Sequence, residues 1–290
     1  GIRSVDAGEK RLLHDICKVA AIAADDDVSS ISQRGEVYTT LDSSVPVIKA
    51  DSFWNAGYKG NGMRVAVLDT GIDKNHPMLQ GKVVAERDFT SSGTAADVCG
   101  HGTHVAGIVA GSKAAGGTYD GVAPEAQLLN AKVLNLDSNG KCGGYVDYII
   151  AAIGWALDPD ANPATDDGAK VISMSLGGKG ETSASLENEL KAAVTKGAVV
   201  VVSSGNCGSG CPDVLSCGSF RGVTWPGNSP SVITVGAVDD SKDVACFSSG
   251  ESVFGVGIKP DFVAPGVDIK SSVPGGGYAA LQGTSMAAPH

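Results

Sequence analysis

The stretch Val65-Ala66-Val67-Leu68-Asp69-Thr70-Gly71 decides the fold of this chain, because an uninterrupted apolar run stops there at a carboxylate and a glycine. Such a run is typical of a strand that is buried on both faces, as in a parallel sheet. In open α/β sheets, ligand sites lie at the carboxyl ends of the strands. We therefore expect Asp69 at a sheet edge where chemistry takes place, although an aspartate of this kind also caps turns and helices.

Similar apolar runs recur along the chain and alternate with segments of helical periodicity. The patterns predict strands over residues 65–68, 127–134, 171–178, 199–202 and 233–237, and helices over 48–57, 103–110, 146–157 and 186–196. Strands that alternate with helices are typical of a sheet covered by helices on both faces. The predicted fold is therefore α/β, with a three-layer, doubly wound and mostly parallel sheet.

Two further motifs carry side chains suited to catalysis. Cys99-Gly100-His101-Gly102-Thr103-His104 leads into a helical pattern, and Gly283-Thr284-Ser285-Met286-Ala287-Ala288-Pro289 places a hydroxyl where the Gly/Pro-rich segment 274–283 turns into an Ala-rich helix. A helix N-terminus stabilises developing negative charge, which suits a nucleophilic serine. The two histidines lack the spacing and the glutamate of the H-E-x-x-H zinc motif, so His104 is predicted to pack inside its helix.

With these three motifs in the order Asp, His, Ser, the region from about Val45 to His290 resembles the subtilisin-like serine proteases. The resemblance implies that Ser285 is the nucleophile, that His101 is its general base and later the general acid, and that Asp69 orients His101. It further implies that the amide of Asn206 and the backbone N–H of Ser285 stabilise the oxyanion.

The same resemblance implies a cleft that binds an extended peptide by strand addition. Its glycines leave room for varied side chains, which favours broad specificity for polypeptide substrates. The residues implied in substrate binding are Gly143, Gly144, Ser175, Leu176, Gly177, Gly178, Ser204 and Gly205.

The N-terminal segment has a different pattern of predicted elements from the rest of the chain. Residues 7–24 have the periodicity of an amphipathic helix, and two short strands are predicted over 28–32 and 36–40, followed by a polar linker over 41–44. These elements could form an edge hairpin of the main domain or a separate module. By the resemblance, residues 1–43 are the C-terminal part of an inhibitory propeptide and 44–290 the peptidase domain. The chain's own propeptide would then be its intramolecular inhibitor, removed by self-cleavage near 40–44.

In the family, the serine helix continues and further helices follow. The peptidase domain is therefore expected to lack its C-terminal helices in this sequence, and the chain as written is expected to be an unstable or inactive fragment of a longer precursor.

Composition narrows the partners and the compartment. The net charge of −10 and the pI of about 4.9 argue against nucleic acid as a partner. No apolar run approaches the roughly 18–20 residues of a membrane span. Without Cys17, the seven cysteines leave an even set of six, which favours disulfides and a secreted protein whose export signal is not in this chain. Free thiols, or a metal at Cys207, Cys211 and Cys217, are the alternatives, and the pairing stays open.

The proposed chemistry requires no cofactor, and no metal site is assigned. Many subtilisins hold calcium in an inserted loop after the histidine helix, but residues 111–121 lack that Asn-rich insertion and Met78 stands where an aspartate is expected. Structural calcium at another, unknown site stays open.

Two other functions compete with a peptidase. A catalytically silent binding module on the same scaffold usually lacks a triad or oxyanion residue, whereas all four are present here. An esterase of the α/β-hydrolase type would need a G-x-S-x-G elbow and a different order of the triad residues. The sequence therefore favours the endopeptidase.

Overall fold

The computed structural model describes residues 41–211, 217–253 and 256–290. The helix and strands predicted before Leu41, and with them nearly all of the predicted propeptide, lie outside these ranges.

Thirteen strands are formed within the described ranges. In chain order they are β1 (Arg64–Asp69), β2 (Val83–Asp88), β3 (Gln127–Lys132), β4 (Asn135–Leu136), β5 (Cys142–Gly143), β6 (Val171–Met174), β7 (Val199–Ser203), β8 (Ile233–Val238), β9 (Glu251–Val253), β10 (Gly257–Lys259), β11 (Phe262–Pro265), β12 (Ile269–Val273) and β13 (Gly277–Leu281). The helices in the same ranges are α1 (Leu41–Val47), α2 (Ala50–Asn55), α3 (His101–Ala110), α4 (Val146–Leu157), α5 (Ala184–Thr195) and α6 (Thr284–Ala287), with a short 3-10 helix at Pro77–Leu79.

Seven of these strands form one parallel sheet in the order β11-β8-β7-β6-β1-β3-β2. The chain begins the sheet at β1, adds β2 and β3 on one side, and then crosses to add β6, β7, β8 and β11 on the other. The direction in which successive strands are added therefore changes at β1. In α/β folds, ligands bind in the crevice at the carboxyl ends of the strands where this direction changes. The predicted doubly wound, parallel α/β fold is confirmed.

Helices cover both faces of the sheet. On one face α4 and α5 bury an aliphatic cluster that includes Ile149, Ile153 and Leu190 against the strands. On the other face α1, α2 and α3 build a second cluster around Val67, Ile108 and other aliphatic residues. The result is a three-layer structure in which β1, which bears Asp69, is apolar on both sides, as its sequence predicts.

Two local predictions are wrong. The predicted polar linker at 41–44 is the first turn of α1, because Leu41 and Val45 are buried in the core and Ser44 Oγ lies 2.8 Å from Nε2 of His290. Part of the predicted loop 274–283 is strand β13, which pairs antiparallel with β12. The glycines at its start form the turn of a hairpin, so they mark one end of a strand and not a long loop.

Three disulfides join the six cysteines after Cys17, at Cys99–Cys142, Cys207–Cys217 and Cys211–Cys246. The expectation of disulfides is confirmed, and the thiols of the 207–217 cluster are not metal ligands. Within the ranges described, every helix is too short or too polar to cross a membrane.

Candidate active site

The Asp69 carboxylate and the His101 imidazole meet at the carboxyl end of the sheet. Asp69 ends β1 with its side chain 1% exposed, and His101 opens α3 with its side chain 30% exposed. Nδ1 of His101 lies 2.7 Å from Oδ1 of Asp69, and the same oxygen accepts the backbone N–H of Thr70 at 2.7 Å. The ring is therefore held by its Nδ1 edge, and Nε2 lies on the far side from the carboxylate.

Glycine at position 102 permits this close approach. A Cβ on Gly102 would collide with the carbonyl oxygen of Gly71 and lie 3.1 Å from Cβ of Asp69. The end of β1 and the first turn of α3 therefore pack backbone against backbone. Any side chain at 102 would push the helix, and the His101 imidazole with it, away from Asp69.

Two opposing effects act on the protonation of His101. Burial disfavours the imidazolium and by itself lowers the pKa, but the charge and hydrogen bond of Asp69 outweigh it, with a smaller contribution from the charge of Asp97. The pKa of His101 is therefore raised above its ordinary value of 6.5. A base that is stabilised once it has gained a proton is suited to accepting one from a nucleophile.

Ser285 lies in the first turn of α6, bound to the residue that follows β6. Its Oγ donates to the Ser175 carbonyl oxygen at 3.2 Å, and Ser175 Oγ donates to the Ser285 carbonyl oxygen at 2.8 Å. Helix α6 contacts α3, which carries His101. The structure thus pairs Asp69 with His101 and Ser285 with Ser175, and among the described residues no hydrogen bond joins the serine hydroxyl to the imidazole.

Asn206 is held beside Ser285 through Thr284. Its Oδ1 accepts the backbone N–H of Thr284 at 2.9 Å and the Thr284 hydroxyl at 3.0 Å. Because a backbone N–H can only donate, the oxygen of the amide must face Thr284 and the NH₂ group must point elsewhere. A Cβ on Gly283 would lie 3.2 Å from Nδ2, so the side-chain amide of Asn206 packs closely against the backbone of the glycine that precedes α6.

The eight predicted substrate-binding residues lie at the ends or edges of strands. Gly143 and Gly144 are exposed beside the short β4–β5 ribbon, whereas Ser175 and Leu176 are buried and Gly177 is exposed. Gly178 forms an isolated bridge with Trp225. Ser204 is buried, and the backbone N–H of Gly205 donates to Thr284 Oγ1 at 3.1 Å. Residues 175–178 are thus bonded to Ser285 and Trp225. Residues 204–205 are bonded to Thr284 and Thr224.

Thr224 fills the space between two of these glycines. A Cβ on Gly177 would lie 2.7 Å from Thr224 Oγ1, and a Cβ on Gly205 would lie 2.6 Å from the same oxygen. Thr224 is 7% exposed, and its hydroxyl donates to the Ser204 carbonyl oxygen at 3.3 Å. The glycines therefore leave less open space than the sequence predicts, because a threonine occupies part of it.

A family model of subtilases matches residues 60–290. The chain is 39% identical over 265 residues to an intracellular serine protease of Paenibacillus polymyxa, with 90% of this chain and 73% of that protein covered. It is 40% identical over 252 residues to subtilisin DY of Bacillus licheniformis, covering 87% and 81% of the two chains. A major intracellular serine protease of Bacillus subtilis is 38% identical over 255 residues, with 86% and 72% covered.

The chain belongs to the subtilase family. As a subtilase it is a serine-type endopeptidase, and polypeptides are its substrates. Its relatives include two proteins named as intracellular as well as subtilisins, so secretion remains a prediction for this subtilase.

Sequence reasoning missed three residues that support the site of this subtilase. Asp97 accepts hydrogen bonds from the start of α3, Thr284 holds Asn206, and Thr224 narrows the space between the glycines. Asp97 had a signal that could have found it, because an acidic residue just before a helix is a common capping residue. The other two have none, since their partners are 78 residues and about 20 residues away in the chain.

The second histidine of the motif packs in the interior of the subtilase, as predicted. His104 is fully buried, and its Nε2 lies 3.0 Å from the Ile269 carbonyl oxygen and 3.1 Å from that of Ala279. Burial lowers its pKa to about 4, so the ring is neutral near pH 7 and donates from Nε2. His104 therefore ties α3 to the β12–β13 hairpin.

An apolar side chain stands at the position where the resemblance to subtilisins implies a calcium-site aspartate. Met78 is fully buried, and Cβ atoms placed on Gly111 or Gly117 would collide with it. A thioether is a poor ligand for calcium, which binds oxygen. The side chains present here do not fit a calcium ion at Met78, and loss of that site remains a prediction.

One cluster of carboxylates in the described ranges is close enough to share a cation. Asp158, Asp160 and Asp167 bring carboxylate oxygens within 4.8 Å of one another in an exposed loop. The loop hydrogen-bonds these groups internally, for example from the Asn162 N–H to Asp158 Oδ1 at 2.9 Å. Since exposed acidic groups of this kind are common without a metal, the cluster does not identify a calcium site.

Proposed function

We propose that this endopeptidase cleaves peptide bonds through an acyl-enzyme on Ser285, with His101 as general base and then general acid, and with Asp69 as the carboxylate that orients it. The observation that carries the proposal is the 2.7 Å contact between Nδ1 of His101 and Oδ1 of the nearly inaccessible Asp69. That contact fixes the tautomer with the proton on Nδ1, so that Nε2 is the basic nitrogen. The chemistry requires no metal or organic cofactor.

The first step needs a rotation of one side chain. Ser285 Oγ now donates to the Ser175 carbonyl oxygen at 3.2 Å, which is a long bond for two oxygens. For catalysis, Oγ would have to exchange this weak contact for one with Nε2 of His101, by rotation about the Cα–Cβ bond. Catalytic hydrogen bonds often form only when substrate is bound, so the free structure is consistent with this route. The proton then moves from Oγ to Nε2, and later from Nε2 to the leaving amine.

The oxyanion of the tetrahedral intermediate would be stabilised by Nδ2 of Asn206 and by the backbone N–H of Ser285. The two hydrogen bonds from Thr284 to Asn206 Oδ1 make Nδ2 the end of the amide that can donate, which supports this role. A donor fixed before the reaction needs no reorganisation when the charge develops, which is why such groups contribute strongly to rate.

The substrate would bind as an extended strand between the exposed edge at Gly143 and Gly144 and the segment from Ser175 to Gly178. Backbone hydrogen bonds provide most of the recognition in this mode, which favours broad specificity. Thr224 sets a limit to that breadth, because its side chain lies between Gly177 and Gly205.

The precursor organisation is also part of the proposal. Residues 1–43 would inhibit the peptidase domain until self-cleavage removes them, and the protein would act outside the cell, where its three disulfides persist. Helix α1 begins at Leu41, which is buried, so cleavage of a bond within 41–44 would require the helix to unfold first. Cleavage at the N-terminal side of the 40–44 window is therefore favoured, and it would leave 41–43 on the peptidase domain instead of removing them with the propeptide.

A fluorophosphonate, which reacts irreversibly with activated serines, tests the proposal on the full-length protein. We expect a single adduct on Ser285 by peptide mapping, no adduct in Ser285→Ala, and a strongly reduced rate of labelling in His101→Gln. Ser92→Ala, which changes an exposed serine in a loop, serves as the control and should be labelled at the rate of the wild type. A folded protein that is not labelled would support a silent binding module instead.

A further inference from the structure

The carboxylate of Asp97 accepts five hydrogen bonds at the start of the helix that carries His101. Oδ1 accepts from the backbone N–H groups of Cys99 at 2.9 Å and Gly100 at 2.8 Å, and from the Thr70 hydroxyl at 2.8 Å. Oδ2 accepts from the backbone N–H of Thr103 at 2.9 Å and from its hydroxyl at 2.6 Å. Asp97 is 8% exposed, so these bonds are shielded from competing water.

Thr70 connects this carboxylate to both members of the Asp69–His101 pair. Its hydroxyl donates to Asp97 and at the same time accepts the backbone N–H of Gly102 at 2.8 Å. Its own backbone N–H donates to Oδ1 of Asp69, the oxygen that contacts the imidazole. The end of β1 and the first turn of α3 are therefore fastened to one acceptor.

We propose that Asp97 is a positioning residue for peptide hydrolysis, which fixes the imidazole of His101 against Asp69 by fastening α3 and Thr70 to one buried carboxylate. This inference rests on the proposed function, in which His101 is the base. Asp97 acts through His101 and Thr70, and does not touch the substrate.

The loop that carries Asp97 is hydrogen-bonded to side chains of strand β3. Nδ2 of Asn130 donates to the Ala95 carbonyl oxygen at 2.9 Å, and Nζ of the fully buried Lys132 donates to the Ala96 carbonyl oxygen at 3.0 Å. Both donors lie on β3, which pairs with β1 in register, so that Lys132 lies opposite Asp69. The backbone just before Asp97 is thus anchored to the sheet, which restrains the carboxylate and the helix start bonded to it.

The charge of Asp97 also reaches the imidazole. It adds to the effect of Asp69 in raising the pKa of His101 against the effect of burial. The strand β12, helix α6 and the 3-10 helix, which also pack against α3 or border it, bring no carboxylate to the ring. The ionisable groups on these elements and in the loops beside α3 are Arg64, Asp69, Asp73, His76, Asp97, Lys132, the half-buried Lys270, and His104, which is neutral near pH 7. Of these, Asp69 and Asp97 are the charges that raise the pKa of His101.

Asp97→Asn is the main test, because it preserves shape while removing the charge and one acceptor atom. Whichever way the new amide turns, its NH₂ group faces at least one backbone N–H, which can only donate, so at least one of the five hydrogen bonds is lost. A displacement of the base by a fraction of an ångström lowers kcat, and we expect a loss of roughly 10- to 100-fold with KM nearly unchanged. The acid limb of the pH–rate profile should move to lower pH, since a negative charge near His101 is removed.

Asp88→Asn is the matched control. Asp88 accepts four hydrogen bonds in the same connection, from the N–H and hydroxyl of Thr90, from Ser92 Oγ and from the N–H of Gly93, and none of them reaches α3 or Thr70. Loss of these bonds should lower the free energy of unfolding and leave kcat and the pH profile as in the wild type. If Asp97→Asn loses no more kcat than Asp88→Asn, the proposal is overturned.

Thr70→Val tests the same link without changing a charge, and serves if Asp97→Asn does not fold. We expect a similar loss of kcat, an acid limb that moves less than in Asp97→Asn because the charge of Asp97 is kept, and recovery in Thr70→Ser, which keeps the hydroxyl. Wild-type kcat in Thr70→Val would contradict the proposal.

An NMR titration of the His101 ring separates this inference from the proposed function. It is made on the full-length protein with Ser285→Ala, with and without Asp97→Asn, and His101→Gln identifies the signal. We expect the pKa of His101 to fall when Asp97 is neutralised, and an unchanged pKa would refute the electrostatic part. If the wild-type protein hydrolyses no peptide and Ser285 is not labelled, the proposed function fails, while the titration still decides whether Asp97 acts on His101.

Discussion

Removal of the Cys99–Cys142 disulfide should destabilise the protein more than removal of Cys207–Cys217. The first bridge spans 43 residues and the second spans 10. If a disulfide acts by restricting the unfolded chain, the loop lengths give about 4 kcal/mol for the first and about 2.7 kcal/mol for the second. The double variant Cys99→Ser/Cys142→Ser should therefore lose about 1.3 kcal/mol more free energy of unfolding than Cys207→Ser/Cys217→Ser.

The same bridge has a predicted effect on activity. It fastens the loop before α3 to β5, which ends at Gly143, a predicted substrate-binding residue. The backbone N–H of Cys99 also donates to Asp97 at 2.9 Å. We expect the variant without the first bridge to show a higher KM for peptides and a lower kcat, because both the substrate edge and the start of α3 lose a restraint.

Guanidinium unfolding followed by circular dichroism measures the stability half of this prediction. The full-length protein should carry Ser285→Ala, so that self-digestion does not obscure the transition. Equal losses for the two double variants, or a larger loss at the 10-residue loop, would refute the reasoning from loop length. Activity is then compared with Ser285 restored. An unchanged KM without the first bridge would show that the edge at Gly143 does not depend on it.

Three further predictions follow from the site. Asn206→Ala should lower kcat by roughly 10²–10³-fold with little change in KM, a range taken over from the corresponding residue of subtilisin and not worked out from this structure. Thr224→Gly should raise kcat/KM for large aromatic residues before the scissile bond, relative to alanine, by roughly tenfold, because it opens the space between Gly177 and Gly205. His104, with its pKa lowered to about 4, binds a proton between pH 6.5 and 4 only in the unfolded chain. The free energy of unfolding should therefore fall by about 3 kcal/mol more in the wild type than in His104→Gln as the pH drops through that window.

The parts of the fold that could be predicted from sequence are those that depend on local pattern. β1 is apolar on both faces and ends in Asp69, and α4 has a helical period over its whole length, so both were located to within about one residue. The helix that begins at Leu41 could not be predicted from local pattern. A leucine followed by polar residues has no amphipathic period, and only its burial in the tertiary structure makes that segment a helix.

Long-range partners explain the rest. Six cysteines allow 15 pairings, and no local pattern distinguishes Cys99–Cys142 from the others. The three motif residues Asp69, His101 and Ser285 could be picked out because each stands in its own short motif. Thr284 and Thr224 could not, since a threonine in a loop has many uses and its partner is fixed by folding.

The two helices that bear the proposed base and nucleophile share an unusual kind of start. α3 is preceded by Gly100 at φ 88° and α6 by Gly283 at φ 152°, and neither glycine has a side chain that could cap its helix. A serine or aspartate, which caps many helices with its own side chain, would be strained at these positive φ values. Asp97 and Asn206 supply the acceptors instead, at 2.9 Å from the backbone N–H groups of Thr103 and Thr284 respectively. Each helix start is therefore capped by a group with a proposed role at the site: Asp97 would position His101, and Asn206 would stabilise the oxyanion. Capping the helix and aligning the site would then be one requirement.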